Sequence, residues 1–255
     1  MSRPAKQRVR QSFEKAAPTY DGAADVQRRI CRRLADELPA GLAVADLLDA
    51  GCGTGYAQGL LGERFPAARR LGLDLSCAML HRVAPGCLRL AGDLEHLPLA
   101  AASLDLYWSS LAVQWCDLGR TLAEARRVLR PGGHVALATL GPGTFGELRT
   151  AFAGVDAYRH TLAFHTPDEV AALADAAGLV AVDVRRSAET AHYPDFRSLL
   201  KAVKAVGANQ VGDGRRTGLM SRAAFARAEA ACESLRTPDG LPLGYDVIHL
   251  HARCP

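Results

Sequence analysis

The chain has 255 residues, 49% of them apolar and 23% charged, which suffices for a full core and argues against disorder as the main state. No run approaches the roughly 18 consecutive apolar residues of a membrane span, and residues 1–33 carry no apolar block of signal-peptide type. The net charge of +4 is uneven: residues 1–33 hold nine Lys/Arg against three acids, a basic arm on a slightly acidic body that reads either as a solvated helix face or as a surface for an acidic partner.

Helical spacing covers the first forty residues, interrupted at Pro18. In the second helix, over residues 24–38, Ile30, Leu34 and Leu38 share one face, and Arg28, Arg29, Arg32 and Arg33 lie mostly on the other. Five short apolar runs follow, at 43–50, 70–74, 87–93, 104–108 and 134–140. Helical stretches alternate with them around 60–65, 79–83 and 122–129, and Arg130-Pro131-Gly132-Gly133 reads as a stop and turn. Thr166-Pro167-Asp168-Glu169 starts a helix capped by Thr166 that ends at Gly178. A sixth strand is expected at 180–184, a helix at 193–206, turns at 215–218 and 237–244, and a last strand at 245–252. The alternation predicts an α/β fold with an open, mostly parallel sheet and helices on both faces. The seven cysteines are odd in number and include no C-x-x-C. Neither a disulfide framework nor a zinc site is indicated, and reduced thiols in the cytoplasm are expected. The histidines, His160, His165, His192, His249 and His251 among them, show no metal spacing, so no metal is expected.

The strongest feature is Leu48-Asp49-Ala50-Gly51-Cys52-Gly53-Thr54-Gly55, a glycine loop between a strand and a helix, where backbone N–H groups can approach a ligand closely. The dinucleotide fingerprint G-x-G-x-x-G needs glycine at position 56, which is Tyr56, and the Gly-Lys-Ser/Thr end of a phosphate-binding P-loop is absent. Asp49 beside the loop opposes a pyrophosphate and suits a cation such as an amino group. Asp74 ends the second strand, where a carboxylate commonly grips ribose hydroxyls. Asp93 ends the third, where an adenine edge would lie. A ligand with ribose, adenine and a cationic amino-acid end satisfies all three, and S-adenosylmethionine has them.

Residues 49–55, Leu73-Asp74-Leu75-Ser76, Gly92-Asp93-Leu94-Glu95-His96-Leu97-Pro98 and Arg127-Val128-Leu129-Arg130-Pro131-Gly132-Gly133 resemble the motifs of class I S-adenosylmethionine-dependent methyltransferases, in order and at the usual spacing. The resemblance narrows through Arg10-Gln11-Ser12-Phe13, Ala16-Ala17-Pro18-Thr19-Tyr20-Asp21, Trp108-Ser109-Ser110-Leu111-Ala112-Val113-Gln114-Trp115-Cys116 and residues 139–149. Together with Gly207-Ala208-Asn209 and Tyr245-Asp246-Val247-Ile248, these are similar to the malonyl-[acyl-carrier protein] O-methyltransferases of biotin synthesis, the BioC family. Ser110 stands where that family usually has Asn, Gln210 replaces a common His, and residues 150–200 match loosely. The resemblance implies a Rossmann-like, seven-stranded, mostly parallel sheet, an N-terminal helical lid over residues 1–40, and a methyltransferase domain over 41–255. Within that domain, 41–140 is the cofactor half, and 141–255 holds an insertion after strand 5 and the last strands.

It implies methyl transfer from S-adenosylmethionine to the free carboxylate of a malonyl thioester on acyl carrier protein or coenzyme A, with no nucleic-acid or membrane partner. A carboxylate with a reference pKa of roughly 4 is already ionised at neutral pH, so no general base is required. Asp49, Gly51, Cys52, Gly53, Gly55, Asp74, Leu75, Met79, Asp93, Leu94 and Ser109 are expected at the cofactor. Cys52 serves there through its backbone, Met79 against adenine and Ser109 near the transferring methyl. Arg149 is expected to hold the acceptor carboxylate, and Tyr20 and Trp115 to cover the site and keep it dry. A methyltransferase for a quinone or other small molecule, and a non-catalytic cofactor-binding regulator, remain the alternatives. An acidic carrier protein would suit the basic arm, with Arg28, Arg29, Arg32 and Arg33 the first charges to reverse.

Overall fold

A computed structural model describes residues 4–155, 161–205 and 220–255. Every residue of β1 (Asp46–Ala50) is buried, as expected of a strand covered on both faces. Side chains alternate along a strand, so Leu47 enters one apolar cluster and Leu48 the other. β2 (Arg69–Asp74), β3 (Leu88–Ala91), β4 (Leu104–Ser110), β5 (Leu129–Leu140), β6 (Val180–Tyr193) and β7 (Leu241–Arg253) complete a seven-stranded sheet. The strand order is β3-β2-β1-β4-β5-β7-β6. The first five strands pair in parallel, and β7 runs antiparallel to both β5 and β6.

Two helices open the chain, α1 (Lys6–Ala16) and α2 (Asp25–Asp36). α3 (Tyr56–Arg64) and α4 (Cys77–Leu80) connect β1, β2 and β3, and α5 (Leu118–Val128) leads into β5. α6 (Gly146–Phe152) and α7 (Pro167–Ala176) follow β5, and α8 (Phe196–Ala205) and α9 (Arg222–Glu233) follow β6. Leu34 and Ile30 of α2 share the cluster of Leu47, Leu106 and Trp108, whereas Leu122 of α5 and Val170 of α7 share that of Leu48 and Tyr107. The expected helix start at Thr166 is a full capping box, in which the Thr166 hydroxyl accepts from the Glu169 N–H and the Glu169 carboxylate accepts from the Thr166 N–H.

Four expectations need correction. Arg130-Pro131-Gly132-Gly133 lies inside β5 as a bulge: pairing jumps from Leu104 opposite Leu129 to Leu106 opposite His134, and Gly132 takes φ +79°. β6 runs to Tyr193, and β7 begins at Leu241, so 241–244 is strand where a turn is expected. Beyond Val184 the outward side of β6 is polar, as an edge strand allows, so residues 185–193 carry no apolar signal. β3 ends at Ala91, which leaves Asp93 in the turn beyond it, bridged to His96. The helix expected at 193–206 starts at Phe196. Gly207-Ala208-Asn209, Gln210, His160 and the turn at 215–218 lie outside the described residues.

α2 is tied to the body by fully buried side chains, Ile30 and Leu34 both at 0% exposure. Leu34→Ala is therefore expected to cost about 2–5 kcal/mol, seen as a lower denaturant midpoint of one cooperative transition. A separate early transition of the N-terminal helices, with the body unchanged, would contradict this.

Candidate functional site

The chain leaves β1 through α3 toward β2, whereas β4 lies on the other side of β1. Connections that diverge in this way leave a crevice outside the carboxyl ends of the strands. The glycine loop turns there and hangs on β2, the Gly51 and Cys52 N–H groups donating to the Leu73 carbonyl at 2.7 and 2.9 Å. Gly51 has φ +77°, and a Cβ on it would stand 2.2 Å from Ala112 Cβ, so no side chain fits. Gly55, at φ +87° on the threshold of α3, abuts Val83, whose Cγ1 would be 2.9 Å from a Cβ there. It shapes the loop without lining the crevice.

The cavity holds about 1080 Å³ of empty space, including its open mouth. Its floor is Asp49, Gly51, Cys52 and Gly53, and its sides carry Asp74, Leu75, Met79, Asp93 and Leu94. α1 and α2 close it with Lys6, Val9, Phe13, Gln27, Arg28 and Cys31, and Tyr20, Asp21 and Trp115 line the same space. Most of the expected residues thus meet in one place.

Asp49 is 2% exposed and accepts from Gln58 Nε2 at 3.2 Å. Burial pushes its carboxyl up to about 7, against the Gln58 hydrogen bond and with a smaller push from Asp74. Asp74 accepts from the Ser76 N–H at 2.8 Å and the Gly53 N–H at 2.9 Å. Its pKa is raised by burial and held back by those N–H groups and that of Leu75. Asp93 takes the Glu95 N–H at 3.0 Å on one oxygen and the Lys6 ammonium on the other, and Lys6 also pairs with Glu95 at 3.1 Å. Burial works against the charge of Lys6, but the two carboxylates prevail and raise its pKa.

Phe13 sits 6.4 Å from the Tyr20 ring and edge-on to Trp115 at 5.8 Å, forming an aromatic wall. Burial raises the pKa of the Tyr20 hydroxyl and of the Cys52 thiol, so both stay protonated at neutral pH.

Besides Gly55, two expected residues are placed elsewhere. Ser109 is fully buried and donates to the Ala50 carbonyl at 2.7 Å. Alternation along β4 turns Ser110 into the cavity instead. Arg149 is exposed on α6, donating to the Thr144 carbonyl at 2.6 Å, and is absent from the cavity wall. The sequence reading missed Lys6, Phe13, Asp21 and Arg28. Thr54 donates to Asp21 at 2.6 Å, a contact between residues far apart in the chain that no local pattern encodes. The arginines of α2 are largely spent within the fold: Arg29 and Arg33 pair with Glu189 at 2.9 and 3.3 Å, and Arg28 donates to the Asp21 carbonyl at 2.6 Å.

Among the described residues no group of three His, Cys, Asp or Glu is arranged to hold a metal, and no helix is long and apolar enough to cross a membrane. Residues 48–137 match the family model of a methyltransferase domain. A SAM-dependent methyltransferase of Thermotoga maritima has a similar fold, with a TM-score of 0.58 at 17% identity over 97% of this chain and 100% of that one. The malonyl-[acyl-carrier protein] O-methyltransferase of Laribacter hongkongensis is 43% identical over 98% of this chain and 90% of its own. That of Dechloromonas aromatica is 69% identical over 99% of this chain and 96% of its own. With that degree of identity over nearly the whole of both chains, this protein belongs to the malonyl-[acyl-carrier protein] O-methyltransferase family of class I S-adenosylmethionine-dependent methyltransferases.

Proposed function

We propose that the protein transfers the methyl group of S-adenosylmethionine to the free carboxylate of a malonyl group carried as a thioester on acyl carrier protein, in the cytoplasm, on the route to biotin. The observation that carries this reading is Asp49, a buried carboxylate facing the cavity with a neutral amide as its hydrogen-bond donor and no described cation beside it. Such a group suits a ligand that brings its own positive charge. S-adenosylmethionine, when bound, supplies an electrophilic methyl group on a positively charged sulfur.

Asp49 is assigned the ammonium of the methionyl end, Asp74 the ribose hydroxyls and Asp93 the adenine amino edge. Met79, 1% exposed, and Leu94 supply apolar contact to adenine, with Leu75 beside them on the wall. Gly51, Cys52, Gly53 and Gly55 act through backbone shape. The acceptor carboxylate arrives ionised, so the chain has no proton to remove, and the high pKa of Tyr20 disqualifies it as a base. Phe13, Tyr20 and Trp115 act by exclusion of water. A positive donor and a negative acceptor attract more strongly as the local dielectric falls.

Arg149 is assigned the acceptor carboxylate. To present its guanidinium it must rotate away from the Thr144 and Gly143 carbonyls. The other cations near the site are already engaged, Lys6 with Asp93 and Glu95, and Arg28 with Asp21.

Incubation with malonyl-carrier protein and radiolabelled cofactor is expected to give a base-labile methyl ester. Methyl transfer to a quinone but not to a malonyl thioester would replace this reading. Arg149→Ala is expected to lose about 10²-fold in turnover of the malonyl thioester while binding the cofactor normally, and unchanged turnover removes Arg149 from the mechanism.

Asp49 also sets a pH dependence. Its carboxyl is held near 7 in the free protein, and only the ionised form attracts an ammonium. Cofactor affinity should therefore rise as pH increases through about 7, with roughly tenfold lost per pH unit below it. Calorimetric titration should show this slope, together with proton release on binding on the acid side. Asp49→Asn should bind weakly at every pH and show neither; a pH-independent parent would contradict the assignment.

A further inference from the structure

The basic arm of the sequence divides in two once folded. Most of the α2 arginines are matched by acids or carbonyls of the same chain, and Arg32 lies over the Tyr56 ring at 5.7 Å. α1 is different. Its inner face, Lys6, Val9 and Phe13, is a wall of the cavity. Its outer face carries Arg8 and Lys15, and its flank Arg10, all exposed. No described acid pairs with Arg8 or Lys15, and Arg10 meets only Glu14 on its own helix, in a solvated pair at 2.8 Å, which does little to hold either side chain.

From this arrangement we infer that the outer face of α1 is the docking surface for the acidic carrier protein that delivers the acceptor; this rests on the proposed function. Two observations combine. The first is charge complementarity: Arg8 and Lys15, two exposed cations on one helix face, with Arg10 on its flank, raise the encounter rate with a strongly acidic partner and orient it. The second is position. A helix with its side chains is about 10–12 Å across, so a partner seated on the outside of α1 is one helix diameter from the cavity. A flexible prosthetic arm crosses that distance readily. The rival surface, Arg197, Lys201 and Lys204 on α8, is also exposed, but α8 contributes nothing to the cavity wall.

The test compares two acceptors at low salt, malonyl-carrier protein and malonyl-pantetheine, with the triple variant Arg8→Glu, Arg10→Glu, Lys15→Glu. None of the three residues lines the cavity. KM for the carrier-borne acceptor is expected to rise roughly tenfold or more, with most of the difference erased by about 0.5 M salt. KM for malonyl-pantetheine and the affinity for S-adenosylhomocysteine should stay within about twofold. An equal effect on both acceptors, no effect on either, or a selective loss in the α8 variant Arg197→Glu, Lys201→Glu, Lys204→Glu instead, would overturn the inference. The single variants Arg8→Glu and Lys15→Glu carry the same test if the triple variant fails to fold. If the parent protein methylates neither thioester, the proposed function fails by itself, and the docking inference is then read from binding of fluorescently labelled carrier protein, where salt-insensitive or absent binding defeats it.

Discussion

The crevice at the end of β1 depends on the backbone passing where side chains cannot. The strand order reverses between β1 and β4, and the loop that turns there has to clear Ala112 on the far side. Gly51 meets that requirement by having no Cβ. Because the loop stays tight, its N–H groups reach the Leu73 carbonyl, and Asp49 directly before it is left at the floor of the cavity. The loop fixes β2, and β2 in turn delivers Asp74, whose carboxylate clamps back on the Gly53 N–H. The loop and its acids thus support one another geometrically. Loss of one would misplace the others.

Charge follows a single logic through this cavity. Four carboxylates, Asp21, Asp49, Asp74 and Asp93, face it with two cations, Lys6 and Arg28. An acidic cavity suits a cationic donor and resists an anionic acceptor until that donor is in place. The elevated pKa values of Asp49 and Asp74 express the same tension, since burial makes the empty cavity reluctant to hold its full negative charge. Aromatic rings rather than further charges close the space on the side of Tyr20 and Trp115. This is economical for a reaction between ions of opposite sign, in which a dry wall strengthens the attraction and no base is called for.

Much of this was legible in the sequence, for reasons that particular residues make plain. Asp49 and Asp74 stand next to strand ends, and buried parallel strands announce themselves as apolar runs. Asp93 is legible, but the apolar pattern carries its strand two residues past Ala91, because Leu88–Ala91 lies at an edge where Leu88 is 56% exposed. Ser109 is expected near the methyl, yet Ser110 faces the cavity, because alternation cannot be phased without knowing which face Trp108 takes. Lys6 and Phe13 were invisible as site residues because their partners, Asp93 and Trp115, are distant in sequence. Arg149 is expected at the acceptor from its place just past the fifth strand and its two-pronged guanidinium. A position in sequence does not fix where a long side chain turns, and this one caps nearby carbonyls.

The polar stretch that hid the second half of β6 has a consequence of its own. This strand ends the sheet, and an open strand edge invites pairing with another chain. Arg185 and Arg186 on β6 are engaged with Asp183 and Asp246, and Glu189 holds two arginines of α2. Charges pinned along an edge oppose the close, dry approach that strand addition requires. The pattern that makes the second half of β6 hard to recognise as strand is also what lets a long strand stand at the margin of the molecule without becoming a seed for aggregation.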